Sequence, residues 1–194
     1  MILLGIFLLI FIWSAINPKD WFTWVLEVLP AVIGLIIILA TYRRFRLTTL
    51  VYILITMHAS ILVIGGHYTY AEMPFFNWLQ DTFELSRNYY DRLGHFVQGF
   101  VPAIIVREIL LRKSPLQPGR LLFFIVVCIC LAISATYEFI EWGVAIASGS
   151  EAEAFLGTQG DVWDTQWDML LALIGAIISL LFLSKLHDRY LCRI

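Results

Sequence analysis

The chain has 194 residues, 60% of them hydrophobic and 14% charged, with a formal net charge of −2 and a mean hydropathy of +0.83. About a quarter of the residues in an average globular domain are charged, so this chain is short of the polar surface that water requires. A soluble enzyme, a nucleic-acid binder and a secreted disulfide scaffold are set aside: no basic excess faces phosphate backbones, and Cys128, Cys130 and Cys192 make no disulfide framework.

Taken in chain order, the apolar stretches predict an all-α, polytopic membrane protein built as one domain over residues 1–194. A hydrocarbon core of about 30 Å takes roughly 20 helical residues to cross. Ile2 to Ile16 is short for this, about 22 Å of helix. Nothing basic precedes it, and Ala15-Ile16-Asn17-Pro18 is a poor signal-peptidase site, so it is read as a first helix. Trp21 to Thr41, Thr48 to Gly66, Leu93 to Leu110, Leu121 to Ala147 and Asp168 to Leu186 supply five more spans. Pro30 and Pro102 fall inside spans, which membrane helices tolerate.

Six helices place both termini on one side. Arg43, Arg44, Arg46, Arg112, Lys113, Arg120, Lys185, Arg189 and Arg193 share that side, against Lys19, Arg87 and Arg92 on the other. The positive-inside rule then makes both termini cytoplasmic. The segments His67 to Arg92 and Ser148 to Trp167 face outward and are expected to fold over a polar site. Their aromatic residues suit an interfacial belt.

Of 15 acidic residues, 12 fall on the outer side or in the outer halves of the helices. Asp81, Glu84, Glu151 and Glu153 suit a solvated loop. Three patterns remain. Asp91-Arg92-Leu93-Gly94-His95-Phe96 opens the fourth span, with Asp91 and His95 four apart on one face. Tyr137-Glu138-Phe139-Ile140-Glu141-Trp142 puts two carboxylates in the outer half of the fifth, where a charge costs several kcal/mol unless paired or protonated. Gly160 to Asp168 brings Asp161, Asp164 and Asp168 to the start of the sixth, and His67 ends the third on the same side.

Each residue also has a plainer explanation. Asp91, Asp164 or Asp168 could cap a helix, His95 could be a packed histidine, and Glu138 could pair with Arg92. His58, Glu27, Glu108 and His187 are read as packing or cytoplasmic surface, with Glu27 and Glu108 counted to the cytoplasmic halves. Five or more carboxylates on one leaflet exceed what Arg87 and Arg92 can neutralise, and carboxylates with imidazole suit zinc, manganese or iron. His95, Glu138, Glu141, Asp164 and Asp168 are therefore the candidate ligands of a divalent metal ion, with Asp91 and His67 as acid/base candidates.

The same residues carry a resemblance. Asp91 to Phe96, Glu138/Glu141 and Gly157 to Met169, with Gly175 following, resemble the YjdF-type bacterial inner-membrane proteins from the second span onward. That resemblance implies a multi-pass protein of the bacterial inner membrane and no particular activity. A looser likeness is to the VanZ-like membrane proteins, which show D-K/R-x-x-H-F, an acidic helix, and D-x-x-x-N-x-x-G. Asp91, Arg92, His95 and Phe96 match the first, Glu138 or Glu141 the second, and Asp168 with Gly175 the third, while Ala172 and Leu173 stand about where the asparagine would be.

Three functions stay open at this point. One is metal-assisted chemistry at the outer leaflet on a lipid, lipid-linked or periplasmic small-molecule substrate. Another is a proton- or cation-coupled carrier using Glu138 and Glu141. The third is a structural membrane protein whose polar cluster fixes packing. No G-x-S-x-G, H-E-x-x-H or P-loop names a reaction, and the partners expected are membrane lipids and no nucleic acid.

Overall fold

A computed structural model describes residues 2–149 and 153–193. It is helical: α1 (Ile2–Ser14), α2 (Trp21–Thr41), α3 (Thr49–Tyr68), a 3-10 turn (Tyr70–Glu72), α4 (Pro74–Phe83), α5 (Tyr90–Lys113), α6 (Arg120–Ser148), α7 (Glu153–Leu156) and α8 (Asp164–Leu191). The five long helices α2, α3, α5, α6 and α8 are long and apolar enough to cross a membrane. α1 has 13 residues and is about 20 Å long. Of the acids assigned to a solvated loop, Glu151 lies outside the described residues.

The helices begin where side chains can serve the free backbone N–H groups. Asp20 Oδ1 accepts from Thr23 N at 2.6 Å to start α2, and Thr48 Oγ1 accepts from Val51 N to start α3. α5 and α8 differ. They begin at Tyr90 and Asp164, three to four residues before the apolar runs do, and neither N-cap residue makes a side-chain cap. Asp91, Asp164 and Asp168 are therefore not N-cap residues: the carboxylates of Asp164 and Asp168 are taken by Arg92 of α5, and that of Asp91 lies beside Arg87 and His95.

α5 and α8 run in the same direction and form the centre of the bundle, with α3 and α6 flanking α5. Val51, Val101, Ile104, Val126, Cys130 and Ala176 form the main apolar core. α1 and α2 pack on the outer face of α3 through Phe7, Val28, Ala31 and Val63. Trp24 Nε1 donates to Ser14 Oγ at 3.3 Å, which ties α1 into this layer. Ile36, Phe124, Phe139, Ile146, Leu181 and Phe182 are exposed, a surface too apolar for water and suited to lipid chains.

The contact between α5 and α8 is set by small residues, as is common between membrane helices. Gly99 sits against the carbonyl of Ala172, and Gly175 sits against the carbonyl of Phe96; a Cβ on either glycine would overlap backbone atoms. Asp91, His95 and Gly99 follow one another at four-residue steps, as do Asp164, Asp168 and Ala172. The closest approach thus lies one turn from His95 and Asp168 and brings those side chains face to face.

At the opposite end of the bundle, Glu108 and His187 do more than pack. Glu108, with no exposed surface, accepts from Thr48 N and Thr48 Oγ1 at 2.9 and 2.7 Å and from Arg112 Nη1 at 2.6 Å, and lies 2.9 Å from His187 Nε2. Arg107 Nη1 lies 2.8 Å from His187 Nδ1. A guanidinium only donates, so Nδ1 is the acceptor and Nε2–H donates to Glu108. The network joins α3, α5 and α8 with its partners satisfied.

Candidate metal centre

At the end where α5 and α8 begin, the helices α5, α6 and α8 bury five carboxylates: Asp91, Glu138, Glu141, Asp164 and Asp168. They divide into two groups. In the first, Arg87 and Arg92 hold the three aspartates of the α8 start. Arg92 Nη2 donates to Asp164 Oδ1 at 2.6 Å and Asp161 Oδ2 at 3.1 Å, and its Nη1 donates to Asp168 Oδ1 and to the Asp164 carbonyl. Arg87 Nη1 donates to Asp164 Oδ1 at 2.5 Å. Asp161 precedes the helix in a turn, where its Oδ1 accepts from Trp163 N.

The second group surrounds His95. One oxygen of Asp91, one of Asp168 and one ring nitrogen of His95 all lie within 4.8 Å of one another. His95 Nε2 is 3.4 Å from Asp91 Oδ1 and 3.9 Å from Asp168 Oδ1, and Nδ1 is 3.7 Å from Glu138 Oε1. Nδ1 also lies 3.0 Å from Gln98 Oε1. With Nδ1–H given to Gln98, the Nε2 lone pair faces the two aspartates, the arrangement of a ligating histidine held by an outer partner. Metal–ligand bonds of about 2.0–2.2 Å at tetrahedral angles separate donor atoms by about 3.3–3.6 Å, close to the His95–Asp91 spacing.

Two buried carboxylate oxygens here have no hydrogen-bond partner among the described residues, Asp91 Oδ2 and Glu138 Oε1. The nearest cation to Asp91 Oδ2 is Arg87 Nη2 at 3.5 Å. Buried carboxylate oxygens are costly when unpaired. Two guanidiniums among six buried carboxylates, Glu27 of α2 being the sixth, and Asp161 leave an acidic excess that must take up protons or hold a cation.

The structure thus sorts the candidate residues. Asp91, His95, Glu138 and Asp168 meet, with Glu141 buried one turn beyond Glu138 on α6. Asp91, an acid/base candidate from the sequence, stands in the His95 grouping itself. Asp164 reaches the same end but is committed to Arg87 and Arg92. Glu138 faces His95 and makes no ion pair with Arg92 among the described residues. His67 is elsewhere: its Nδ1 lies 3.0 Å from the Ser14 carbonyl oxygen and its ring packs on Trp13 at 4.5 Å, so it joins α3 to α1.

Other residues of this end were not singled out from the sequence. Glu27, counted to the cytoplasmic half, is buried two turns from the start of α2, where the Cβ of a side chain at Gly66 would meet it. Six residues from Trp21 is the same depth arithmetic that placed Glu138, so the signal was there. Gln98, three after His95, was likewise readable. Asn88 and Gln159 carried no signal. Asn88 N donates to Gln159 Oε1 and Gln159 Nε2 donates to the Asn88 carbonyl, both at 2.9 Å. Asn88 also donates to Asn77 Oδ1 at 2.6 Å. This strap, with Arg87 Nη2 donating to the Gly157 carbonyl at 2.8 Å, draws α4 and residues 157–161 over the centre. Burial and the charge of Glu27 hold the Tyr70 hydroxyl well above its ordinary range, so it stays protonated; among the described residues it has no hydrogen-bond partner.

Long lipid-facing helices around a buried carboxylate–imidazole cluster define a multi-pass integral membrane protein with a polar centre near one face. The chain belongs to the family described as "Predicted membrane protein (DUF2238)", whose match covers residues 1–189 and so takes in α1. It is similar to the "Inner membrane protein YjdF" of Escherichia coli (strain K12), 51% identical over 185 residues that make up 95% of this chain and 88% of that protein. No solved structure matches. The protein is a multi-pass protein of the bacterial inner membrane.

Proposed function

We propose that this protein holds a divalent cation between Asp91, His95 and Asp168, with Glu138 and Glu141 completing the set, and uses it in chemistry on a lipid or lipid-linked substrate at the outer leaflet. The observation that carries this reading is the His95 grouping: three ligand atoms within 4.8 Å beside two buried carboxylate oxygens without hydrogen-bond partners among the described residues. Zinc, manganese or iron suits this donor set. Such an ion polarises a phosphoryl or carbonyl oxygen and lowers the pKa of a bound water. Arg92 would orient Asp168 as an outer partner. A carrier reading has less to stand on, because Glu108 at the opposite end is committed to Thr48, Arg112 and His187.

Chelation tests the reading. A cation at about a hundred times its Kd contributes about 2.7 kcal/mol, so a strong chelator should lower the wild-type Tm by about 5–10 °C for a chain of this length. Glu138→Gln keeps the side-chain shape and should abolish that shift. A wild-type Tm indifferent to chelator, with Glu138→Gln destabilised equally in both conditions, would assign the cluster to packing alone.

The same proposal includes the orientation: α1 completes six crossings, both termini are cytoplasmic, and the centre faces the periplasm, as the basic loops favour. In a chain freed of its three cysteines, Arg44→Cys and Lys113→Cys should react with an impermeant thiol reagent only after the cells are opened. Asp81→Cys and Glu84→Cys should react in intact spheroplasts. Labelling of Arg44→Cys from outside would invert or break the six-crossing arrangement.

A further inference from the structure

The centre is roofed toward the helix ends, and on the α6 side it is walled by Tyr137, Glu138 and Glu141. Arg87, bonded to Asp164 and the Gly157 carbonyl, and the Asn88–Gln159 strap close the first direction. On the other side a groove of about 400 Å³ runs along Ile129, Ala132, Ile133, Thr136, Tyr137 and Ile140. These residues recur at steps of three and four and make one stripe of α6 about 16 Å long. Ala132, the smallest, forms the dip, while Ile133 and Ile140 are exposed. Tyr137 belongs to both places: it lines the groove, and its ring stands edge-on to the His95 ring with centroids 6.2 Å apart. The next residue is Glu138.

At this level of a bilayer an apolar groove on the helix surface faces hydrocarbon. Its continuity with the centre through Tyr137 gives that hydrocarbon a specific place. We propose that the groove seats one acyl chain of a membrane lipid, whose head group passes Tyr137 to reach the Asp91–His95–Asp168 centre laterally from the bilayer. The substrate class is then an acyl-chain lipid whose head-group oxygen a cation at the centre takes, and not a water-borne solute arriving through the roof. The identity of the lipid as substrate rests on the cation reading; the chain seat does not.

The test uses the full chain in nanodiscs of phosphatidylethanolamine and phosphatidylglycerol, doped with phosphatidylethanolamine carrying a diazirine midway along one acyl chain. Photolysis followed by peptide mass spectrometry should place adducts on 129–140 at several-fold the density on the exposed Ile33, Ile36 and Ile37 face of α2, which serves as the unspecific reference. Ala132→Trp fills the dip and should erase that excess; Ala132→Phe, a smaller plug, replaces it if the tryptophan variant fails to fold. Equal labelling of α6 and α2, or an excess that survives the plug, overturns the seat. Metal content measured on the same samples separates the two ideas. A loaded centre without the α6 excess overturns the lipid inference alone, and an excess without metal upholds the seat while overturning the cation reading.

Discussion

Arg92→Met should cost the protein about 3–5 kcal/mol, the loss seen when one partner of a buried ion pair is removed. Arg92 is 7% exposed and is shared by Asp161, Asp164 and Asp168. Methionine fills much of the volume but returns no hydrogen bond, so Asp168 and part of Asp164 would be left charged and unpaired in a dry site. The loss should be read from unfolding in graded SDS in detergent micelles. A second change, Asp164→Asn in the Arg92→Met background, should recover part of it, because it removes one of the stranded charges. A loss below about 1 kcal/mol, the size of an exposed pair, would mean that the clasp is wetter than its geometry indicates.

Gly99→Val should be comparably damaging for a different reason. The Cβ of any larger residue at Gly99 would overlap the Ala172 carbonyl, which is backbone and cannot rotate aside. α5 and α8 must then separate, at a cost of about 3 kcal/mol or more, the upper part of the range for overpacked cores. The site should suffer with the fold. His95 is one turn from Gly99, and Asp168 one turn from Ala172, so the separation pulls the ligand atoms beyond the reach of one ion. Gly99→Val that survives purification should therefore show no stabilisation by added zinc or manganese. Phe124→Val, a lipid-facing control on α6, should leave both stability and metal response within about 0.5 kcal/mol of wild type.

The long helices were legible because the hydrophobic runs exceed what any soluble core needs. α2 matches the run Trp21 to Thr41 at both ends, α3 starts one residue after its run and ends two beyond it, and α5, α6 and α8 contain their runs with a few residues more. The apolar runs stop short of the first turns of α5 and α8, which hold Asp91, Arg92 and Asp164; the spacing of Asp91 and His95 made the first of these turns legible, whereas the pairing of Arg92 with Asp164 across the two helices was not. The site was legible as a set of residues and not as an arrangement. Spacing put Asp91 with His95 on one face, yet which aspartates Arg87 and Arg92 would claim depends on the crossing of α5 over α8, and that is written in Gly99, Ala172 and Gly175. Asp164, a ligand candidate from its spacing, accepts from Arg87 and Arg92 in the clasp. His67 shows the limit of depth alone, since a residue at the right level can face the wrong helix, and it faces α1.

The central claim is that the His95 grouping holds a divalent ion, and metal content per chain tests it most directly. Protein purified in mild detergent without chelator, then equilibrated with zinc, manganese and iron in separate samples and desalted, should retain about one equivalent of one of them. Asp168→Asn and His95→Ala should each retain a small fraction of that amount while staying folded by circular dichroism. Substoichiometric metal in every wild-type sample, or full occupancy that survives His95→Ala, would contradict the account.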